Sequence, residues 1–494
     1  MDYYKEAHNL KVENRAFING EYVNAKSGVF YYKRSSYDAV ELPGIADCDE
    51  TDIDEAVDAA RCSFESGVWS NYKLSEKKRV LLKLADLMEA NRKELALLDT
   101  LETNRAYSNY YNDSIPKAID SIRYYAEAID KYYDFAIPPQ KTAFATVNRI
   151  PIGVVGIILP WNDPMVVAAW KFTPALLMGN SVVIKPAEQS SYSLIKTAVL
   201  AKEAGIPDGV FNVVPGRGET AGKALAMNTD VGGVFFTGSS EVGKLIMQYS
   251  GQSNMKKVGL ECGGKSAFIL SSKSVNINNA VKILAQNVFY NQGQICTAPS
   301  RAIVYESIYD DFIKLLYKEC DNYVPGSPFE SDNNVGCVVS KVQYDRINEY
   351  IDFARTNGGT VFQSSKIKKK NNNACAVQPT VITGLCNDSR LAQEEIFGPV
   401  VTVLKSKDIH DAIGQANSSK YGLAGAIFTD DINEAYYGAT HINAGLVHIN
   451  SWGEDEMHVP FGGIKESGVG KDRSFWAFDE YSELKTVWMK FENI

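Results

Sequence analysis

The alternation that begins at Pro151 limits what this chain can fold into more than any other feature. Strand-length apolar runs at residues 154–159, 182–184, 211–214 and 234–236 recur after helix-length segments. Between the second and third runs, Leu194, Ala198 and Ala201 mark one helix face, and Gly205 with Pro207 ends that helix. Strand and helix in alternation predict an α/β fold, a doubly wound parallel sheet with its ligand at the carboxyl edge. Ahead of it, residues 52–64, 75–91 and 116–132 carry apolar side chains at helical spacing, such as Val80, Leu81, Leu84, Leu87 and Met88, and offer no recognisable chemistry. At 494 residues the chain exceeds one compact core, so two or three domains are expected.

Charge and cysteine usage exclude several classes. A net charge of −9 speaks against a nucleic-acid surface, and the one basic run, Lys368-Lys369-Lys370, leads into Asn371-Asn372-Asn373 as a solvated loop. The eight cysteines are scattered, with no C-x-x-C pair and no matching His spacing, so neither a metal site nor a disulfide framework is signalled. A reducing cytoplasm fits. The first eight residues are polar and charged, unlike a signal peptide, and the long apolar run 154–170 is interrupted by Asp163 and Pro164, so no membrane span is expected.

Three short stretches carry chemistry. Cys296, in Asn291-Gln292-Gly293-Gln294-Ile295-Cys296-Thr297-Ala298-Pro299, stands where the helical run 281–289 must break, which predicts an exposed end of secondary structure. A lone cysteine is ordinarily a small buried hydrophobe, and as a nucleophile it needs a base, because a thiol of pKa about 8.5 is mostly protonated near neutrality. The turn Phe236-Thr237-Gly238-Ser239-Ser240-Glu241-Val242-Gly243 opens a helix whose N–H groups and capping Ser suit a pyrophosphate, although such a junction is usually just a cap. Neither it nor Gly216-Arg217-Gly218-Glu219-Thr220-Ala221-Gly222 has the G-x-G-x-x-G spacing. Gly259-Leu260-Glu261-Cys262-Gly263-Gly264-Lys265-Ser266 matches the P-loop pattern and raises a nucleotide triphosphatase as a rival. Against that rival, residues 266–270 read as a strand where a P-loop continues into a helix, and Glu261 would set a carboxylate inside an anion nest.

Taken in order, several motifs resemble the aldehyde dehydrogenase superfamily from about Phe17 to Phe491. They are Pro160-Trp161-Asn162, Lys185-Pro186-Ala187-Glu188, the turn at 236–243, Glu261 in its L-E-x-G-G-K setting, Cys296, Glu394-Glu395-Ile396-Phe397-Gly398-Pro399 and Pro460-Phe461-Gly462-Gly463-Ile464-Lys465-Glu466-Ser467-Gly468. Residues 253–257 and 480–486 look most like the bacterial γ-glutamyl-γ-aminobutyraldehyde dehydrogenases.

The resemblance implies an NAD-binding domain (1–128 and 152–263), an α/β catalytic domain (264–466) and a small β oligomerisation element (129–151 and 467–494). In the last, residues 142–150 would combine with Val487, Met489 and Phe491 as an apolar edge that invites a homodimer or homotetramer. It implies Cys296 as nucleophile, Glu261 as general base, the Asn162 amide with the Cys296 N–H as oxyanion donors, and Lys171 and Glu483 as a proton path. NAD would meet Lys185 and Glu188 at the adenosine ribose, Glu395 at the nicotinamide ribose and Phe397 near the ring, with Ile158, Trp161, Gly218, Phe236, Gly238, Ser239, Val242 and Gly243 completing its site.

The substrate would be a small aldehyde bounded by Trp170 and Phe461. Asp163 and Asp455 stand where many relatives place tunnel aromatics, and carboxylates there favour a cationic or hydrogen-bonding tail, with Trp452 adding a cation–π face. ω-Amino or γ-glutamylamino aldehydes are therefore expected ahead of indole, other aromatic or plain aliphatic ones. Cys262 replaces a common Leu, and Lys471 a common Arg.

Overall fold

The computed structural model describes residues 2–492 apart from 275, 332, 369–370 and 372–373, so most of the basic run and of the Asn run after it lies outside the described residues. The alternation after Pro151 builds a sheet in which five parallel strands stand in the spatial order Phe211–Val213, Ser181–Lys185, Val154–Ile158, Val231–Thr237 and Lys257–Glu261. The chain order reverses beside Val154–Ile158, and the crevice outside that reversal is where such sheets bind ligands. Val155, Ile157, Val182 and Ile184 pack into one core with the helices Leu74–Ala90, Ile115–Ala128, Pro164–Leu177 and Tyr192–Ala204. Val154, Ile158, Val183 and Val234 face the opposite layer, which includes Glu50–Ser66. Burial on both faces explains why these strands read as unbroken apolar runs.

A second sheet holds Thr360–Gln363, Thr380–Thr383, Val400–Ser406, Arg301–Tyr305, Ala267–Leu270, Ala424–Phe428 and Leu446–Ile449, parallel except for the first. Its strand Ala267–Leu270 follows Ser266, the last letter of the P-loop pattern, so the pattern runs from one strand into another and no helix opens after it. That geometry removes the triphosphatase. A third, three-stranded sheet pairs Ala143–Pro151 with Ser482–Lys490 antiparallel, from Ala143 opposite Lys490 to Pro151 opposite Ser482. Leu484, Val487, Trp488 and Met489 of its outer strand are exposed.

The first two sheets are joined across residues 262–266, and buried Ser467 fastens that crossing. Its hydroxyl donates to the Gly263 carbonyl at 2.8 Å and accepts the Gly422 N–H at 3.0 Å, while its own carbonyl accepts the Cys262 N–H at 2.8 Å. Ser467→Ala would strand a buried carbonyl and a buried N–H, each costing about 1–3 kcal/mol. We expect a lower denaturation midpoint in urea at an unchanged m-value, and an unshifted midpoint would show that the crossing does not depend on this hydroxyl.

Candidate active site

The nucleophile turn is built from three successive left-handed residues, Asn291 (φ 50°), Gln292 (φ 54°) and Gly293 (φ 67°). Left-handed non-glycine residues are costly and persist only where the surroundings hold them. Here the Gln292 amide exchanges two hydrogen bonds with the Val377 backbone, at 3.3 and 3.1 Å, and Asn291 Nδ2 donates to the carbonyls of Asn162 and Gln294, both at 3.2 Å. A side chain at position 293 would fall 2.1 Å from the Gly398 carbonyl oxygen, so only glycine fits. The helix Ile277–Phe289 does break where expected, but the turn folds inward and leaves Cys296 half-buried instead of at an exposed end. Burial, with the carboxylates of Glu395 and Glu261 adding, pushes its thiol up to about 12. At rest the Cys296 thiol is neutral, and it would need a base to take its proton before it could attack.

Glu261 ends the strand Lys257–Glu261 and lines the same cleft, of about 470 Å³, as Cys296 and Asn162. It is buried, and neither carboxylate oxygen has a side-chain partner among the described residues. Burial holds its carboxyl well above the usual range, and the nearby Asp472 carboxylate adds to the rise while Lys171 and Lys471 oppose it. Asn162 Nδ2 donates to the Gln294 carbonyl at 3.1 Å, which fixes the amide plane beside the nucleophile turn.

The Lys171 ammonium makes a buried ion pair with Asp472 at 2.7 Å. Glu483, expected with Lys171 on a proton path, lies on the strand Ser482–Lys490, which is exposed from Glu483 onward; its side chain is 60% exposed and faces the Lys257 ammonium at 4.0 Å. Asp472 was not found by sequence reasoning, although it follows Lys471 in the Gly-rich stretch after Ser467. Lys471 itself donates to the carbonyls of Gly462 and Gly463, at 2.8 and 2.7 Å, and so holds the turn that bears Phe461.

At the sheet edge, Ser239 caps the helix Ser240–Gln252 by accepting the Val242 N–H at 3.3 Å. Gly238 and Ser239 line the cleft, Phe236 and Gly243 pack beneath them, and Val242 is exposed. Glu188 accepts the Lys185 ammonium at 3.1 Å and the Gly218 N–H at 2.6 Å, a cluster beyond the end of the strand containing Ile158. Glu395 accepts the Gly264 N–H at 3.1 Å, and burial pushes its carboxyl up to about 7. Phe397 meets Trp161 edge-on at 5.3 Å, and both line the cleft.

On the other side, the rings of Trp170 and Phe461 meet at 5.0 Å in the cleft wall. Asp455 and Asp163 are not bare charges. Asp455 is paired with Arg473, whose guanidinium lies 5.5 Å over Trp170 and 5.8 Å over Phe461, and Asp163 faces Arg105 at 3.2 Å. Trp452 is a correction to the sequence reading: it is 4% exposed, packed against Phe268 and His448, and offers no face to a substrate. Cys262 lines the cleft as a buried thiol. Arg105 and Arg473 were missed because neither sits in a recognisable motif.

The sequence pattern of the Aldehyde dehydrogenase family matches residues 22–487. The Escherichia coli NADP/NAD-dependent aldehyde dehydrogenase PuuC is 41% identical, over 99% of this chain and 98% of its own. Among solved structures, an indole-3-acetaldehyde dehydrogenase complexed with NAD+ superposes with a TM-score of 0.97 at 42% identity, covering 99% of both chains. A γ-glutamyl-γ-aminobutyraldehyde dehydrogenase from Burkholderia cenocepacia gives 0.96 at 41% identity with the same coverage. With the match spanning nearly the whole chain and the motif residues converging on one cleft, this protein belongs to the aldehyde dehydrogenase family.

Proposed function

We propose that this chain oxidises an aldehyde to a carboxylic acid with NAD, through a thiohemiacetal and then a thioester on Cys296. The observation that carries this is the cleft itself, which is lined by the half-buried Cys296 thiol, a buried carboxyl without a side-chain partner among the described residues and a fixed carboxamide. The residues present fit the dinucleotide. Lys185, Glu188 and the Gly218 N–H would take the adenosine ribose, the Ser239-capped helix the pyrophosphate and Glu395 the nicotinamide ribose, while the buried Thr237 hydroxyl, without a partner among the described residues, lines the same space. Glu188 would lie against the 2′-phosphate of NADP, and like charges a few ångströms apart cost about 1–4 kcal/mol, so NAD is favoured.

Glu261 accepts the thiol proton, and Sγ attacks the aldehyde carbon. The second amide proton of Asn162 and the Cys296 N–H stabilise the oxyanion, each such donor being worth about 3 kcal/mol. When bound, the dinucleotide supplies the acceptor for the hydride that the alkoxide carbon releases, which leaves a thioester at Cys296. Glu261, once it has released the thiol proton to solvent, deprotonates the water that attacks the thioester, and the carboxylic acid leaves with Cys296 restored as the sulfur leaving group. Burial raises the pH at which the Glu261 carboxyl ionises, and of the Lys171–Asp472 pair the carboxylate adds to that rise while the ammonium opposes it.

The relatives support an amino or γ-glutamylamino aldehyde. With each cleft-side aspartate backed by an arginine, the charge pattern suits a tail that carries both ammonium and carboxylate better than a bare cation. The Trp170–Phe461 wall and the indole-3-acetaldehyde dehydrogenase favour an aromatic aldehyde as the second reading. The exposed apolar row on Ser482–Lys490 supports assembly into a dimer or tetramer, which sedimentation velocity would reveal as more than one 54.5 kDa chain. No helix is long and apolar enough to cross a membrane among the described residues, and the scattered cysteines form no C-x-x-C pair, in keeping with the cytoplasm; disulfides in protein isolated without reductant would contradict that placement.

Cys296→Ala should abolish aldehyde oxidation and leave NAD binding intact; appreciable turnover would remove the nucleophile assignment. Glu261→Gln should retain a single-turnover burst of NADH while steady-state turnover falls, and loss of the burst would place Glu261 at thiol activation as the indispensable step. Because the Glu261 carboxyl is raised, it is protonated and idle at low pH, so kcat should climb as pH rises through that elevated value. Asp472→Asn removes a neighbouring negative charge and should move the climb to lower pH, and an unmoved profile would deny Asp472 this influence. For substrate, kcat/KM for γ-glutamylaminobutyraldehyde, an uncharged aldehyde of equal length and indole-3-acetaldehyde should be compared with NAD and NADP, in the native enzyme and in Asp455→Phe. The polar-tailed aldehyde with NAD should lead, and Asp455→Phe should erode that lead; a native preference for either uncharged substrate would overturn the class.

A further inference from the structure

Arg105 comes just past the helix Arg92–Thr103, in the part of the chain whose sequence offers no chemistry. Its side chain is 3% exposed, yet one guanidinium spans both segments that carry reacting groups. Nη1 donates to the Asn162 carbonyl at 3.4 Å and faces the Asp163 carboxylate at 3.2 Å. Nη2 donates to the Tyr290 hydroxyl at 2.7 Å, and that hydroxyl donates to Asp113 at 3.0 Å. The rings of Tyr110 and Tyr290 flank the guanidinium carbon at 4.8 and 5.0 Å. Tyr290 begins the turn that delivers Cys296.

Asn162 is thus held from three directions. Its carbonyl accepts from Arg105 and from Asn291, and its Nδ2 donates to Gln294. Fixing one amide proton on Gln294 leaves the other a single direction in which to point. A planar fork suits the task, because a lysine ammonium cannot bond two segments in one rigid geometry.

We infer that Arg105 is a positioning residue for the oxyanion donor: by tying Asn162 to the Tyr290 turn, it keeps the carboxamide and the Cys296 thiol in register. This rests on Asn162 acting as an oxyanion donor. The test is a double-mutant cycle on kcat with Arg105→Gln, Asn162→Ala and both together, with NAD affinity as the check of a folded site. Misplacing reacting groups by an ångström costs on the order of 100-fold, so Arg105→Gln should lower kcat roughly 10- to 100-fold. Asn162→Ala should lower it about 100- to 1000-fold. The double variant should fall little below Asn162→Ala alone, since the anchor has nothing to act through once the amide is gone. Losses that multiply, or an unchanged kcat in Arg105→Gln, would overturn the inference. An unchanged kcat in Asn162→Ala would instead overturn the oxyanion assignment beneath it. Because Arg105→Gln leaves Asp163 without its cation, Arg105→Gln/Asp163→Asn keeps the charge balanced and should show the same drop in kcat; recovery of native kcat in that pair would assign the defect to stray charge and reject a positioning role.

Discussion

Everything in this site depends on how closely two sheets approach at Gly263 and Gly264. A side chain at 263 would meet the Glu395 carboxylate at 2.0 Å, and one at 264 would lie 2.9 Å from the Cys296 carbonyl oxygen. Without those absences the strand that ends in Glu261 could not lie against the segments bearing Glu395 and Cys296. The same crossing supplies the Gly264 N–H to Glu395 and, through Ser467, ties the cofactor-side strand to the second sheet.

The close approach buries the ionisable groups of the cleft, and that burial shifts them. Burial is the largest cause of the raised values at Cys296, Glu261 and Glu395. Burial therefore keeps the Cys296 thiol neutral and makes the Glu261 carboxylate, which lines the same cleft, more basic than an exposed one. The three left-handed residues before Cys296 belong to the same arrangement. Their conformation is paid for by side-chain clamps from Asn291 and Gln292, and the strain sits where the nucleophile must be aimed.

Charge is handled differently away from the reacting groups. Beside the segments that line the cleft, Asp163 pairs with Arg105 and Asp455 with Arg473, so neither aspartate stands as an uncompensated charge. In each pair the arginine is the more buried member and also stacks on aromatic rings, Tyr110 and Tyr290 for Arg105, Trp170 and Phe461 for Arg473. An aspartate read alone in the sequence looks like a free carboxylate; the partner that neutralises it lies 58 residues away for Asp163 and 18 for Asp455, counting from the pairs Arg105–Asp163 and Asp455–Arg473.

The sequence by itself determined the alternation of strands and helices and the strand after Ser266, and its motifs singled out Cys296, Glu261, Asn162, Glu395 and Phe397, which the structure brings to one cleft. Those signals are local: apolar period, turn residues and motifs whose letters are adjacent in the chain. Only the tertiary structure decided that Asp472 and not Glu483 meets Lys171, that Trp452 packs into the core, that Cys296 turns inward and that Arg105 reaches the nucleophile turn. Each of those depends on contacts between segments tens to hundreds of residues apart, such as Lys171 with Asp472, 301 residues on. A side chain's burial and partner are properties of the packed layers, and no period or motif within one segment encodes them.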